Sequence, residues 1–195
     1  MVTASERAAR SLTFAFHRAR RAEGLTAWPA PNIQDWQSFV RSAWKVRNRD
    51  DRVVLNTLQE QSLWAGIAAA GGQSAALLEG PRHRLAALAM DAHSLLCAYS
   101  PRLLNQSARG GWDRDAAAFS AWLAVFDEAC RAGKTISAAR LPLELIELLP
   151  AESTQRPPLL LAGFDRILPT QRKLFDTWSE WNEVALGSIA TKVHF

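Results

Sequence analysis

Four arginines, Arg7, Arg10, Arg18 and Arg21, recur at spacings that a helix gathers onto one side. At about 100° per residue they fall within a stripe opposite Ala8, Leu12, Ala15, Phe16 and Ala19, which follow the i, i+4, i+7, i+8 rule of an apolar face. Such a stripe can neutralise the phosphates of a nucleic acid, and each contact makes binding more sensitive to salt. The plainer reading is a solvated helix face opposite a core. Ser5 precedes the helix as its N-cap; a helix N-terminus can also hold an anion, but capping is the simpler role. Exposed aromatic rings near this face would stack on bases, worth about 1–3 kcal/mol per base. Trp36, Trp44 and Trp112 are the candidates, and Trp112, in a loop beside Gly110-Gly111, is the one expected to be exposed.

The other reactive side chains lack the spacing of a site. His17, His83, His93 and His194 are far apart, without metal-ligand spacing. Asp113/Asp115 and Asp127/Glu128 read as helix caps or solvated pairs. There is no G-x-S-x-G and no Cys–His–Asp arrangement, so a hydrolase has no support. Cys97 and Cys130 lie in apolar helical patterns with no CxxC, which reads as two buried thiols in a reducing cytosol. No catalytic residue, metal or cofactor is expected.

The chain has 195 residues, enough for one domain, or for one domain with an insertion. A hydrophobic share of 48% supports a substantial core and argues against disorder. Eight tryptophans at helical spacing read mainly as core. The net charge of +4 is compatible with a polyanion partner without requiring one. The N-terminus lacks the apolar stretch of a signal peptide, and no apolar run approaches the ~20 residues that span a bilayer. A cytoplasmic protein, not a membrane one, is expected.

The elements follow from periodicity. Residues 1–5 are extended, and Glu6–Ala22 is a helix stopped at Gly24. Trp28–Ile33, with two prolines, is an extended edge segment. Asn32 or Gln34 leads into a helix with Trp36, Phe39, Val40, Ala43 and Trp44 on one face, ended by the polar run Arg47–Arg52. Residues 53–149 read as helical throughout. Leu55, Leu58, Trp64, Ile67 and Ala68 mark one helix, broken at Gly71-Gly72. Leu85, Leu88, Ala92, Leu95 and Leu96 mark another, closed before Pro101. Asp113 caps a third, with Phe119, Trp122, Leu123, Phe126 and Cys130 on its face. Thr135 or Ser137 starts a shorter helix, and Pro142–Leu149 adds a turn or two. Pro150–Pro158 is a linker. A helix bearing Leu174, Phe175, Trp178 and Trp181 comes near the end, with Val184–Ile189 as a last strand.

Between that linker and helix lies Leu159-Leu160-Leu161-Ala162-Gly163-Phe164-Asp165-Arg166-Ile167-Leu168-Pro169-Thr170-Gln171. It reads as a buried strand, a tight turn at Gly163 and a helix starting at Pro169. The segment resembles, without a gap, the Walker B region of UvrD-like superfamily 1 helicases, roughly LLVDEFQDTNPAQ. Phe164, Pro169 and Gln171 match. The resemblance puts Ala162 where the family has its magnesium-holding Asp, Gly163 where it has the Glu that activates water, and Asp165 after the matched Phe. Thr3–Leu12 resembles motif Ia of the same helicases, roughly TFTNKAAREM, through Ala8, Ala9 and Arg10. In that family this strand and helix help hold single-stranded DNA.

The degenerate, AddB-like subunits of bacterial helicase–nucleases and the related "probable DNA repair protein" family are more similar still. They share GFxxxxPxQ, here Gly163 to Gln171, and a Leu-x-x-Gln-Glu-x-x-x-Trp element, matched loosely by Leu55, Leu58, Gln59, Glu60 and Trp64. They also share the Ala118–Trp122 helix and the Ile136-Ser137 start. The one GK[ST] in the chain, Gly133-Lys134-Thr135, has Glu128 in place of the first glycine of GxxxxGK[ST] and follows the motif Ia segment instead of preceding it, so no phosphate-binding loop is legible and the chain reads as a fragment or truncated relative.

The resemblance implies an α/β fold, predominantly helical, with a small parallel sheet of degenerate P-loop-NTPase type. Residues 1–52 and 151–195 would form the core and 53–150 an all-helical insertion, with 1–5 and 159–162 as adjacent parallel strands. It implies a non-catalytic module of a DNA repair and recombination helicase or nuclease. Such a module grips or scans single-stranded DNA or a duplex end, or scaffolds an active helicase–nuclease partner. The alternatives are a protein-interaction scaffold without DNA binding and an unrelated small helical-α/β enzyme.

Overall fold

A computed structural model describes residues 1–48, 50–70, 79–152 and 155–184, without the side chains of 79–82, 114 and 115. The glycine break at 71–72, the Asp115 side chain, residues 185–189 of the expected last strand and His194 lie outside the described residues. The protein is mostly helical with a small parallel sheet. It divides into two compact units. One holds Met1–Val46, Ile146–Ile167 and the described residues from Gln171 onward; the other holds Arg47–Leu145 with Leu168–Thr170.

In the first unit, β1 (Val2–Thr3), β2 (Gln34–Asp35), β5 (Leu159–Ala162) and β6 (Trp181–Val184) form a parallel sheet in the order β2-β1-β5-β6. β1 pairs with β5 in the register Val2↔Leu161, Thr3↔Ala162. β5 buries Leu159, Leu161 and Ala162 and exposes Leu160, the alternation of a strand with one dominant buried face. Parallel strands need crossovers, and α1 (Glu6–Ala22) makes the one from β1 to β2. α2 (Trp36–Arg47) buries Phe39, Val40, Ala43 and Trp44, as its spacing requires. α7 (Pro169–Trp178) contributes Leu174 and Phe175, both fully buried. Phe175 is the centre of an aromatic group: Trp36 meets it edge-on at 5.4 Å and Phe164 at 6.0 Å. Arg156 pins the 150–158 linker by donating to the carbonyls of Trp178, Thr177 and Leu149, two of them at the open C-terminal end of α7.

Two expectations change here. Asp35, rather than Asn32 or Gln34, caps α2, its Oδ1 accepting from Gln37 and Ser38 N–H at 3.0 and 3.2 Å. Trp181 lies in β6, past the end of α7, so the last strand starts earlier than Val184.

The second unit packs α3 (Thr57–Ala70), α4 (Glu79–Tyr99) and α5 (Arg114–Ala132), followed by the first residues of α6 (Leu141–Leu148), up to Leu145. Its core joins Leu55, Trp64, Ile67, Ala86, Ala89, Leu123 and Phe126, with Trp64 stacked flat on Phe126 at 4.2 Å. Asn56 and Gln59 exchange side-chain-to-backbone hydrogen bonds at 3.0 and 2.9 Å and start α3 as a reciprocal capping box. Residues 53–149 are not helical throughout: β3 (Val53–Val54) pairs in parallel with β4 (Thr135–Ile136). Two-residue strands carry too little alternation to show in a sequence. The α3 and α4 faces also differ from expectation. Leu58, Leu88 and Leu95 are exposed, and α4 buries Ala86, Ala89, His93 and Cys97. The two helices are rich in Ala and Leu all round, so the apolar stripe can be drawn along more than one row. Small Ala86 and Ala89 let the helices approach, and that selects the row.

Candidate nucleic-acid interface

The face of α1 is set by how the helix is held. Ser5, in extended backbone, accepts from Ala8 N–H at 3.3 Å and caps the N-terminus. The Thr3 hydroxyl donates to the Ser5 carbonyl at 2.9 Å, and Ala4 N–H donates to the Ala162 carbonyl at 3.2 Å. The start of α1 is thereby tied to β5. Toward the other end, Trp28 Nε1 donates to His17 Nδ1 at 2.7 Å and holds the Trp28–Ile33 segment against the helix. Only Ala9 of α1 is fully buried; Ala8, Leu12, Ala15 and Phe16 are half-buried. Ala19, expected on the apolar face, is exposed.

Opposite that face, Arg7, Arg10, Arg18 and Arg21 are all exposed. Arg10 is paired with Glu6 one turn away, and this pairing raises its pKa. No side chain among the described residues pairs with Arg7, Arg18 or Arg21. In their midst stands Phe14, 68% exposed. It is one turn from Arg10 and Arg18 and two turns from Arg7 and Arg21, which puts all five side chains on one stripe. Phe16 differs: it is half-buried, with the Arg20 guanidinium 5.1 Å from its ring centroid and Arg20 bonded to Glu23. Phe14 was legible in the sequence, as the apolar residue of α1 that falls off the core face and onto the arginine spacing.

The aromatic candidates named from sequence are not the exposed ones. Trp44 is buried, and Trp36 is half-buried against Phe175. Trp112 is half-buried, stacked parallel to Phe119 at 6.3 Å and packed on the core of the second unit. The cause is Arg109, buried under the loop. It donates to the carbonyls of Leu103 and Leu104 at 2.9 Å and to the Ser120 hydroxyl at 2.7 Å, and its guanidinium lies 5.7 Å from the Trp112 ring. This clamp turns the loop and Trp112 inward.

The segment after β5 is a joint. Ala162 is buried, Gly163 has φ +72° and Phe164 packs on Phe175. Asp165 is exposed, and Gln171 is half-buried in the first turn of α7.

The second unit contains a polar cluster that sequence spacing does not show. Ser137 Oγ donates to Glu60 Oε1 at 2.8 Å, and the same oxygen lies 3.7 Å from His93 Nδ1. Arg140 Nε donates to His93 Nε2 at 3.3 Å, which places the ring proton on Nδ1, and Arg140 also pairs with Asp127. Cys97 Sγ lies 3.6 Å from His93 Nε2, so thiol, imidazole and carboxylate stand in sequence. This is not a nucleophile and its base. Burial pushes the Cys97 thiol up to about 12, the residue is 2% exposed, and the Nε2 lone pair is taken by Arg140. An open cleft of about 400 Å³ nearby is lined by Asp50, Arg52, Asp127, Arg140 and Glu144 among others. Several of its charges are paired with one another, Arg52 with Glu144 at 2.6 Å and Asp50 at 3.5 Å, and Arg140 with Asp127, while Lys134 also lines it.

Among the described residues no group of three or more His, Cys, Asp or Glu is placed to hold a metal ion, and no helix is long and apolar enough to cross a membrane. No protein-family model matches the chain, and no curated protein matches it.

Proposed function

We propose that this chain is a non-catalytic, helicase-like module of a bacterial DNA repair helicase or nuclease, of the AddB-like class, and that it grips DNA through the outer face of α1. The observation that carries the reading is the register Val2↔Leu161. The two segments that resemble motif Ia and the Walker B region are neighbouring parallel strands, and the helix that follows β1 presents an arginine stripe. In this reading the module hydrolyses no ATP, because Ala162 and Gly163 stand where the family carries its acids. Its task is to hold a strand for an active partner.

The test is binding of a labelled single-stranded oligonucleotide across a salt series. Three unpaired arginines on phosphates give a log–log slope of about −2, at about 0.7 per contact. No binding at about 50 mM salt overturns the reading. A protein-docking scaffold is the second reading. It is favoured by Leu88 and Leu95, two turns apart on α4 and 65% and 58% exposed. It is what stands if the oligonucleotide does not bind.

A further inference from the structure

We infer that Phe14 is a base-stacking platform and that the α1 face takes an unpaired polynucleotide strand, one base lying on the ring and the flanking phosphates meeting the arginines. The inference rests on the DNA-gripping reading and names the form of nucleic acid. A phenylalanine 68% exposed gains little for the fold, and α1 places this one at the centre of its cationic stripe. Arg7 and Arg21 are fourteen residues apart, about 21 Å along the axis at 1.5 Å per residue. That leaves about 10 Å on each side of the ring, the length of at most about three phosphates at about 3.4 Å each. Arginine neutralises backbone charge on any nucleic acid, but a flat apolar ring adds binding only where a base face is open. Bases inside a duplex are already stacked on each other, whereas an unpaired strand offers them freely. An anionic membrane surface suits the face less well, because a surface-seeking helix lays down a broad apolar side. Here a single ring stands among Arg7, Arg10, Ser11, Arg18 and Arg21, all exposed. An acidic peptide would satisfy the arginines and leave the ring without a matching partner.

The experiment compares the wild-type chain with Phe14→Ala, Phe14→Trp and Arg18→Gln on a single-stranded oligonucleotide, a blunt duplex of the same length and anionic phospholipid vesicles. Alanine keeps the helix and the ring is exposed, so the thermal midpoint of Phe14→Ala should match the wild type; circular dichroism checks this. Phe14→Ala is expected to weaken single-strand binding about 10-fold, with duplex binding and the salt slope unchanged. Phe14→Trp retains or tightens single-strand binding. Arg18→Gln weakens both nucleic acids and flattens the single-strand slope by about 0.7. If the wild type binds DNA and Phe14→Ala binds the single strand equally well, or loses single strand and duplex alike, the stacking platform is overturned while the DNA-gripping reading stands. Phe14-dependent binding to vesicles without binding to oligonucleotides overturns both, as does the absence of any nucleic-acid binding at about 50 mM salt.

Discussion

The Ser137 hydroxyl donates to the Glu60 carboxylate at 2.8 Å across 77 positions of sequence, with both side chains buried. The bond fastens the first turn of α3 to the turn after β4, both of which follow the C-terminal end of the parallel β3–β4 pair. Ser137 Oγ also accepts from Ala139 N–H at 3.2 Å, so one hydroxyl serves a carboxylate and a helical turn. Ser137→Ala leaves a buried carboxylate short of a donor and is expected to cost about 1–3 kcal/mol in urea denaturation. In a double-mutant cycle with Glu60→Gln the coupling should exceed about 0.5 kcal/mol. An unshifted urea midpoint for Ser137→Ala would show that the bond contributes nothing.

Asp35 caps α2, and its acidity follows from that role. Burial pushes the carboxyl up, but hydrogen bonds from the Ser38 side chain and backbone and from Gln37 N–H outweigh it and hold the pKa below the ordinary value. A depressed carboxyl stabilises the fold above the unfolded-state pKa of about 3.9, and that contribution disappears as pH falls through the folded value. Asp35→Ala should therefore cost about 1 kcal/mol at neutral pH. The gap in thermal midpoint between wild type and variant should narrow on acidification from about pH 6 to about pH 3. A gap that stays constant over this range would contradict the assigned cap.

The two thiols should differ in reach. Burial raises the pKa of both, that of Cys97 to about 12, and Cys97 is closed to solvent while Cys130 is half-buried. Iodoacetamide at neutral pH should label Cys130 slowly and Cys97 only after unfolding in urea, with mass spectrometry of the peptides as the readout. Rapid native labelling of Cys97 would show that α4 opens locally.

What was legible in the sequence divides along physical lines. Where one strong period or cap operates, the elements are where the residues put them: α1 over Glu6–Ala22, β5 over Leu159–Ala162, the Asp113 cap and the Pro169 helix start. The Leu85–Leu96 pattern located α4 and put Leu96 against the core, but two of its five positions miss the packed face, because Ala and Leu are both apolar and the row that packs is chosen by the neighbouring helix. Leu88 and Leu95 point outward while Ala86 and Ala89 are buried. The glycines beside Trp112 promise an open loop, but Arg109 closes it through hydrogen bonds to the Leu103 and Leu104 carbonyls and to Ser120, contacts that leave no periodic pattern in the sequence. In the site, Ser5 is legible as the cap and the four arginines as a helical stripe. Phe14 falls outside the apolar row that sets the core face, so the helical period of that face does not single it out. The cluster of buried Glu60, Ser137 and His93 with half-buried Arg140 joins residues from 60 to 140, and no local period records that.

Gly24 ends the helix that carries the candidate interface, and its backbone allows a clean test. Gly24 N–H donates to the Arg21 carbonyl at 3.0 Å and Leu25 N–H to the Arg20 carbonyl at 3.2 Å, the paired bonds of a Schellman stop. The turn requires a left-handed residue, and Gly24 has φ +78°. A Cβ added there would meet nothing within 4 Å, so any cost of Gly24→Ala comes from the backbone and not from a clash. That cost is about 1–2 kcal/mol for a left-handed L-residue, and Gly24→Asn should cost less because Asn tolerates the region. Thermal or urea unfolding of the two variants gives the order Gly, Asn, Ala. Because the stop holds the last turn, where Arg21 sits, Gly24→Ala should also weaken oligonucleotide binding by less than the loss of Arg21 itself. If Gly24→Ala equals the wild type in stability, the helix does not rely on the left-handed stop.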